Sequence, residues 1–395
     1  IKDGDTVTLS GFVANGIAEA LNTAAEERFL ETGHPRDLTL FWVAGTGNKD
    51  GSHADHYAHE GMVKKVIGGH FNFVPKICEM LSENKIEGYN VPQGAIAQML
   101  RDNAARKVGT ISHVGIGTFA DPRNGGGRLS EKTKEDIVKI IELEGQEQLF
   151  YPRIPLDVAF IRGTYADELG NITLEKEMAP LDATSQAMAV HNNGGLVVVQ
   201  VERVVKAGHL DPKLVKIPGI YVDAVVECPA DDPKQSQSIN CTYDPAYAGN
   251  TQVPVSSLEP KKLDAKKIIG RRAAMELKKN VVVNLGVGVP EWVSSVAAEE
   301  GVADEMTLTV ECGPVGGVPG GGLRFGGSVN AQAYMDEGYQ FDFYDGGGLD
   351  LCFLGLAEVD NNGDVNVSRL GTRITGSGGF TNISSNSKKA VFCGT

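Results

Sequence analysis

Two hydrophobic rhythms alternate along this chain. In TVTLSGFVANGIAEAL (6–21) an apolar strand-like run meets a glycine, Gly11, and gives way to apolar positions at helical spacing. VVVNLGVGVPEWVSSV (281–296) has the same order, with the glycine at Gly286. A second strand is predicted after each: LTLFWVAGTG (38–47) in one copy and MTLTVECGPV (306–315) in the other. Aligning Leu38 with Met306 places Gly45 on Gly313 and Val43 on Glu311. A third match pairs DVAFIRGTYADELGNITL (157–174) with DLCFLGLAEVDNNGDVNV (350–367). Three matches in one order indicate a long internal repeat.

Strands alternating with helices predict parallel sheets with helices on their faces. The fold class is therefore α/β, with two related open α/β domains and mainly parallel sheets. Apolar spacing predicts helices over QGAIAQMLRDNAAR (93–106) and SEKTKEDIVKIIELEG (130–145), the second capped by Ser130. Between the copies, 228–264 is rich in Pro, Ser, Asn and Asp and has no sustained period. The expected division is a first domain over 1–228, a linker or extended arm over 229–262 and a second domain over 263–395.

Composition narrows the class. The net charge of −14 argues against nucleic acid and anionic membranes as partners. The longest apolar runs, such as LVVVQV (196–201), fall far short of a membrane span. Six scattered cysteines without a CxxC pair argue against zinc and a disulfide scaffold, and suit a reducing, cytoplasmic setting. HADHYAHE (53–60) lacks the HExxH spacing, so it reads as a polar helix face near a substrate mouth, and no metal is expected.

The candidate chemistry sits at strand ends. Gly286-Val-Gly288 starts like a dinucleotide turn, but Glu291 takes the third glycine position. VAGTGNKDG (43–51) lacks the GK[ST] ending of a phosphate loop. What remains is glycine repeated at strand ends (Gly45, Gly47, Gly286, Gly288, Gly313 and the GSGG run 376–379), where bare amides can hold an anion or an oxyanion. Glu311 ends a predicted strand beside these glycines, where the first copy has Val43, so the fold itself requires no acid there. A carboxylate so placed is suited to covalent relay with a thioester. It must be ionised, and backbone donors with a nearby helix N-terminus are expected to keep its pKa low. Cys312 is read as a buried packing residue.

GVGVPEWV (286–293), LTVECGPVGGVP (308–319), QFDFYDGGGLDLCFLGLAEVD (340–360) and GSGGFTNIS (376–384) carry a pattern that resembles the family I coenzyme A transferases, most closely the acetate and propionate group. In the first half NVPQGAIAQMLR (90–101) and VGIGTFADPRNGGGR (114–128) are similar to that family too. The resemblance spans essentially the whole chain. It implies ping-pong transfer of coenzyme A between a short-chain acyl-CoA and a carboxylic acid, through a thioester on Glu311 and with no cofactor besides CoA as substrate. It also implies an oxyanion loop at Gly378, Gly379 and Phe380, with Gln93 near the glutamate. The acyl pocket falls on Gly45, Thr46 and Gly47, and CoA on Gly286, Gly288 and Asn382. Lys388 and Lys389 are candidates for its phosphates. The site would lie in a cleft between the domains of a homo-oligomeric enzyme, and members of the group run past the VFCGT segment, so a C-terminal portion is expected beyond it. A thioester hydrolase, a lyase-associated acyl transferase and a silent ligand sensor are the alternatives.

Overall fold

A computed structural model describes residues 1–254 and 260–394. The strands of the first half are β1 (Thr6–Leu9), β2 (Leu38–Trp42), β3 (Val63–Gly68), β4 (Glu87–Asn90), β5 (Val158–Arg162), β6 (Leu196–Val201) and β7 (Ala224–Glu227). They form one wholly parallel sheet in the order β7-β6-β5-β1-β2-β3-β4. The second half has β8 (Val282–Leu285), β9 (Thr307–Thr309), β10 (Pro314–Val315), β11 (Ala333–Tyr334), β12 (Leu351–Gly355) and β13 (Ala390–Cys393). Their order is β11-β10-β9-β8-β12-β13, parallel from β9 to β13 and antiparallel at β10 and β11. Helices that matter for the site are α1 (Glu19–Thr32), α2 (Gln93–Ala104), α3 (Ala183–Asn192), α4 (Glu291–Glu299), α5 (Glu337–Asp345) and α6 (Phe380–Asn386). Among the described residues no helix is long and apolar enough to cross a membrane.

The repeat is structural. β1 lies between β2 and β5 with Thr6 opposite Thr39, and β8 lies between β9 and β12 with Val282 opposite Thr307. Asp157 accepts from Thr6 N–H at 2.8 Å, and Asp350 from Val282 N–H at 2.9 Å. Thr6 is therefore the counterpart of Val282. The counterpart of Gly286 is Ser10, one residue before Gly11, so the glycine turns are offset by one position although the strands match.

Helix prediction succeeded at Gln93–Ala104 and failed at 130–145. There the chain forms a strand, Lys139–Leu143, antiparallel to Gln146–Pro152. Glu144 and Gly145, at φ 49° and 76°, make a two-residue hairpin turn, and the β-branched Ile140 and Ile141 sit on the pleat. Ser130 caps nothing; its hydroxyl donates to Ile86 O at 2.8 Å. The 229–262 segment is an extended arm seated on both halves over its described part. Gln237 Nε2 donates to Lys176 O at 2.6 Å, and Ser238 Oγ to Leu323 O at 2.8 Å. Residues 255–259 of that segment lie outside the described residues.

One apolar cluster joins the halves, running from Ala95, Ile96 and Leu100 of α2 to Phe341 and Tyr344 of α5 and Ile383 of α6. That seam positions the site.

Candidate active site

Glu311 lies two residues past the end of β9. Its neighbours Val310 and Cys312 are anchored in an apolar cluster with Phe12, Val13, Ala44 and Phe325, again from both halves. The Cys312 thiol donates to Gly326 O at 3.1 Å, and burial pushes its pKa well up, so it packs rather than reacts. Glu311 is 7% exposed, at the floor of a cavity of about 410 Å³. Gln93, Gly45, Gly286, Gly378, Gly379 and Phe380 line the same cavity. Thr46, Gly47, Gly288 and Asn382 do not. Gly288 N–H donates to Glu291 Oε1 at 2.7 Å. Asn382 is fully buried, accepting from Gly94 N–H at 3.1 Å and donating to Asp345, which ties α6 to α2 and α5.

The carboxyl has few donors. Asn284 Nδ2, on the adjacent β8, stands 3.3 Å from Glu311 Oε2 and is shared with Thr309 O and Tyr344 Oη. Burial raises the Glu311 pKa to about 7, with its own N–H and Asn284 opposing only partly. This overturns the expectation of a low pKa: α6 starts beside the carboxyl at Gly379, but burial outweighs the hydrogen bonds from its own N–H and Asn284.

Glycine clears the space above it. A Cβ on Gly379 would lie 3.0 Å from Ile383 and 3.5 Å from Glu311 Cγ, and one on Gly45 would lie 2.3 Å from His70 Nδ1. Of the three amides expected in an oxyanion loop, Gly378 N–H is spent on Gly69 O at 2.8 Å and Phe380 N–H on Ser377 O at 3.1 Å. Gly379 N–H has no partner among the described residues.

Sequence reasoning missed several residues here. Asn284 had a signal, as the one polar residue inside VVVNL. His70 lines the cavity, and burial with Lys49 nearby lowers its pKa to about 4, so it is neutral at pH 7. Arg373 lines it too, donating to Asn72 Oδ1 at 3.2 Å, and had no local signal. Lys388 and Lys389 do not line it; they pair with Asp350 and Glu276 at 2.7 Å each. The histidine-rich stretch is not at the mouth either. It is a 3₁₀ turn, His53–Tyr57, packed on α1, and no group of three or more potential ligands that could hold a metal occurs among the described residues.

The sequence profile of the family described as coenzyme A transferase matches residues 1–228. Acetate CoA-transferase YdiF of Escherichia coli (strain K12) is 44% identical over 398 residues, covering 100% of this chain and 74% of that one. Caffeate CoA-transferase of Acetobacterium woodii is 42% identical over 400 residues, covering 100% and 76%. A crystal structure of the acyl-CoA transferase YdiF from E. coli O157:H7, as a thioester complex with CoA, aligns at a TM-score of 0.93 and 42% identity over 100% of this chain and 74% of that one. With identity at this level over its full length, the chain belongs to the coenzyme A transferase family, in its acetate-type group, and is a CoA-transferase.

Proposed function

We propose that Glu311 carries CoA covalently between an acyl-CoA donor and a carboxylic acid acceptor. A Glu311 oxygen attacks the thioester carbonyl, and collapse of the tetrahedral adduct expels the CoA thiolate, leaving an acyl-glutamyl anhydride. The thiolate attacks the glutamyl carbonyl and releases the donor's acid, so CoA is now bound to Glu311 as a thioester. The acceptor carboxylate runs the same steps in reverse. No cofactor is required besides CoA itself. The observation that carries this reading is a buried carboxyl in a cavity also lined by Gly379, whose N–H has no partner among the described residues. Such a donor stabilises an oxyanion most where water is excluded.

One cavity wall consists of Phe12, Val13, Phe73 and Phe325 with the neutral His70. Its apolar side chains suit an acid with a short apolar tail, with Lys49 Nζ over the Phe73 ring at 5.5 Å from the centroid. Arg373, on the cavity lining beside Gly286 and Gly376, is where CoA would enter.

The test is incubation with acetyl-CoA, borohydride reduction and peptide mass spectrometry. Reduction is expected at Glu311 alone. An unmodified Glu311 in protein that still transfers CoA would contradict the covalent route. Glu311→Asp retracts the oxygens by about 1 Å and is expected to lose around a hundredfold in turnover; near-normal turnover contradicts the role.

A further inference from the structure

Behind Gln93 lies a second pair of acids. Glu337 opens α5 from the second half, and Asp182 precedes α3 from the first. Both side chains are buried, at 1% and 6% exposure. Gln93 Nε2 donates to Glu337 Oε1 at 2.5 Å. Glu337 Oε2 and Asp182 Oδ1 are buried and accept from no donor, while the two carboxyls face each other. The surrounding charges offer no neutralisation. Glu311 and Asp336 are also acidic, and Lys216 turns to Asp336 at 3.9 Å rather than to the pair. Two buried carboxylates in contact without a cation cannot both ionise.

We propose that Asp182 and Glu337 share one proton, and that this pair positions Gln93 for the transfer chemistry. Glu337 O–H donates to Asp182, and Glu337 Oε1 accepts from the Gln93 amide. The Gln93 nitrogen is thereby held away from the cavity and its oxygen towards it, where Oε1 lies 3.4 Å from the Cβ position of Gly378. A defined acceptor thus faces the loop that carries Gly379 and the floor that carries Glu311. Burial and the neighbouring acids push the Glu337 pKa far up, and burial takes that of Asp182 to about 7, so the proton is retained at neutral pH. When it is lost at alkaline pH, the carboxylates repel, and the hold on Gln93 goes with them. Glu337 and Asp182 are positioning residues that act through Gln93, and the proposal rests on the Glu311 reading above.

A double-mutant cycle tests it. Glu337→Ala is expected to lower kcat about tenfold with little change in KM, and to cost less than about twofold in a Gln93→Ala background. Glu337→Gln, which keeps the acceptor and replaces the O–H with an N–H, is expected to recover most of the turnover and to lack the alkaline fall of kcat expected of the wild type. Additive losses in the cycle overturn the proposal. So does a Glu337→Gln enzyme as slow as Glu337→Ala, or one with an unchanged alkaline limb. The last readout stands even if Glu337→Ala does not fold. Borohydride labelling at Glu311 in each variant separates the two ideas, because failure of the pair leaves the label in place and failure of the covalent route abolishes it in wild type as well.

Discussion

At the scale of one residue, the informative conflict is between the burial of Glu311 and the charge that the proposed covalent role requires. In the unfolded chain its carboxyl ionises near 4.5, and in the folded cavity at about 7. Between those values the folded state binds the extra proton, so stability falls as pH rises and the full penalty is reached above about 7. A shift of this size corresponds to about 3 kcal/mol. Glu311→Gln is therefore expected to exceed wild type in stability by up to about 3 kcal/mol at pH 8 to 9 and to match it near pH 5, measured by chemical denaturation. Equal stabilities across that range would refute the assignment. Under the proposed covalent role the same ionisation sets the acidic limb of activity: kcat/KM for acyl-CoA, which reports the free enzyme, should rise with pH through about 7, before any alkaline fall from the Asp182–Glu337 pair. The position of Glu311 was legible in the sequence, because an acid replaced Val43 at a strand end. Its pKa was not, because the walls that desolvate it come from Phe12, Phe325 and Phe380, scattered over the whole chain.

Single elements show where local pattern suffices. α2 and the strand pairs were readable because periodicity is a local property. The 130–145 stretch misled because its apolar residues fit helical spacing, whereas the Glu144-Gly145 turn and the partner strand 146–152 decide the outcome. The histidine stretch was read by composition, but its role depends on α1, about thirty residues upstream. His56 Nδ1 meets Glu26 at 2.5 Å and its Nε2 meets Glu19 at 2.9 Å, while His59 reaches Glu26 at 2.7 Å. Burial disfavours a charged His56, but the two carboxylates outweigh it and raise its pKa; Glu19 and Glu26 are lowered despite their own burial. The His56 contribution is complete below about 6.5 and is lost as pH rises through its raised folded pKa. The Glu contributions are complete above about 4.5 and are lost as pH falls through their lowered values. The clamp is thus strongest from about pH 4.5 to 6.5. Glu26→Gln should destabilise by roughly 1 kcal/mol at pH 6 and by clearly less at pH 9, read from thermal unfolding.

For the whole molecule, the repeat explains why the site lies where it does. Each half ends a strand at the same topological position, with Val43 in the first and Glu311 in the second, and α2, α5 and α6 bring the halves together over the acid. Gly94 and Gly338 probe this seam from opposite sides, α2 and α5. Helix propensity alone says that alanine at either should stabilise by up to about 1 kcal/mol. Contacts separate them. A Cβ on Gly338 meets nothing nearer than Ala97 O at 3.7 Å, whereas one on Gly94 would lie 2.4 Å from Asn382 Nδ2 and 2.7 Å from the Phe341 ring. The Asn382 side chain cannot simply move aside, since it also accepts from Gly94 N–H and donates to Asp345. Phe341 is fully buried. Overpacking of this kind costs about 1–3 kcal/mol, more than the propensity gain. Gly338→Ala should therefore be neutral or stabilising with full activity. Gly94→Ala should lose about 1–2 kcal/mol and should lower kcat as well, because relief of the clash displaces α6 and, at its start, Gly379. Denaturation and steady-state rates on the two variants decide the matter. If Gly94→Ala gains stability and keeps its rate, the halves do not meet as tightly as the seam requires, and the site cannot depend on their docking.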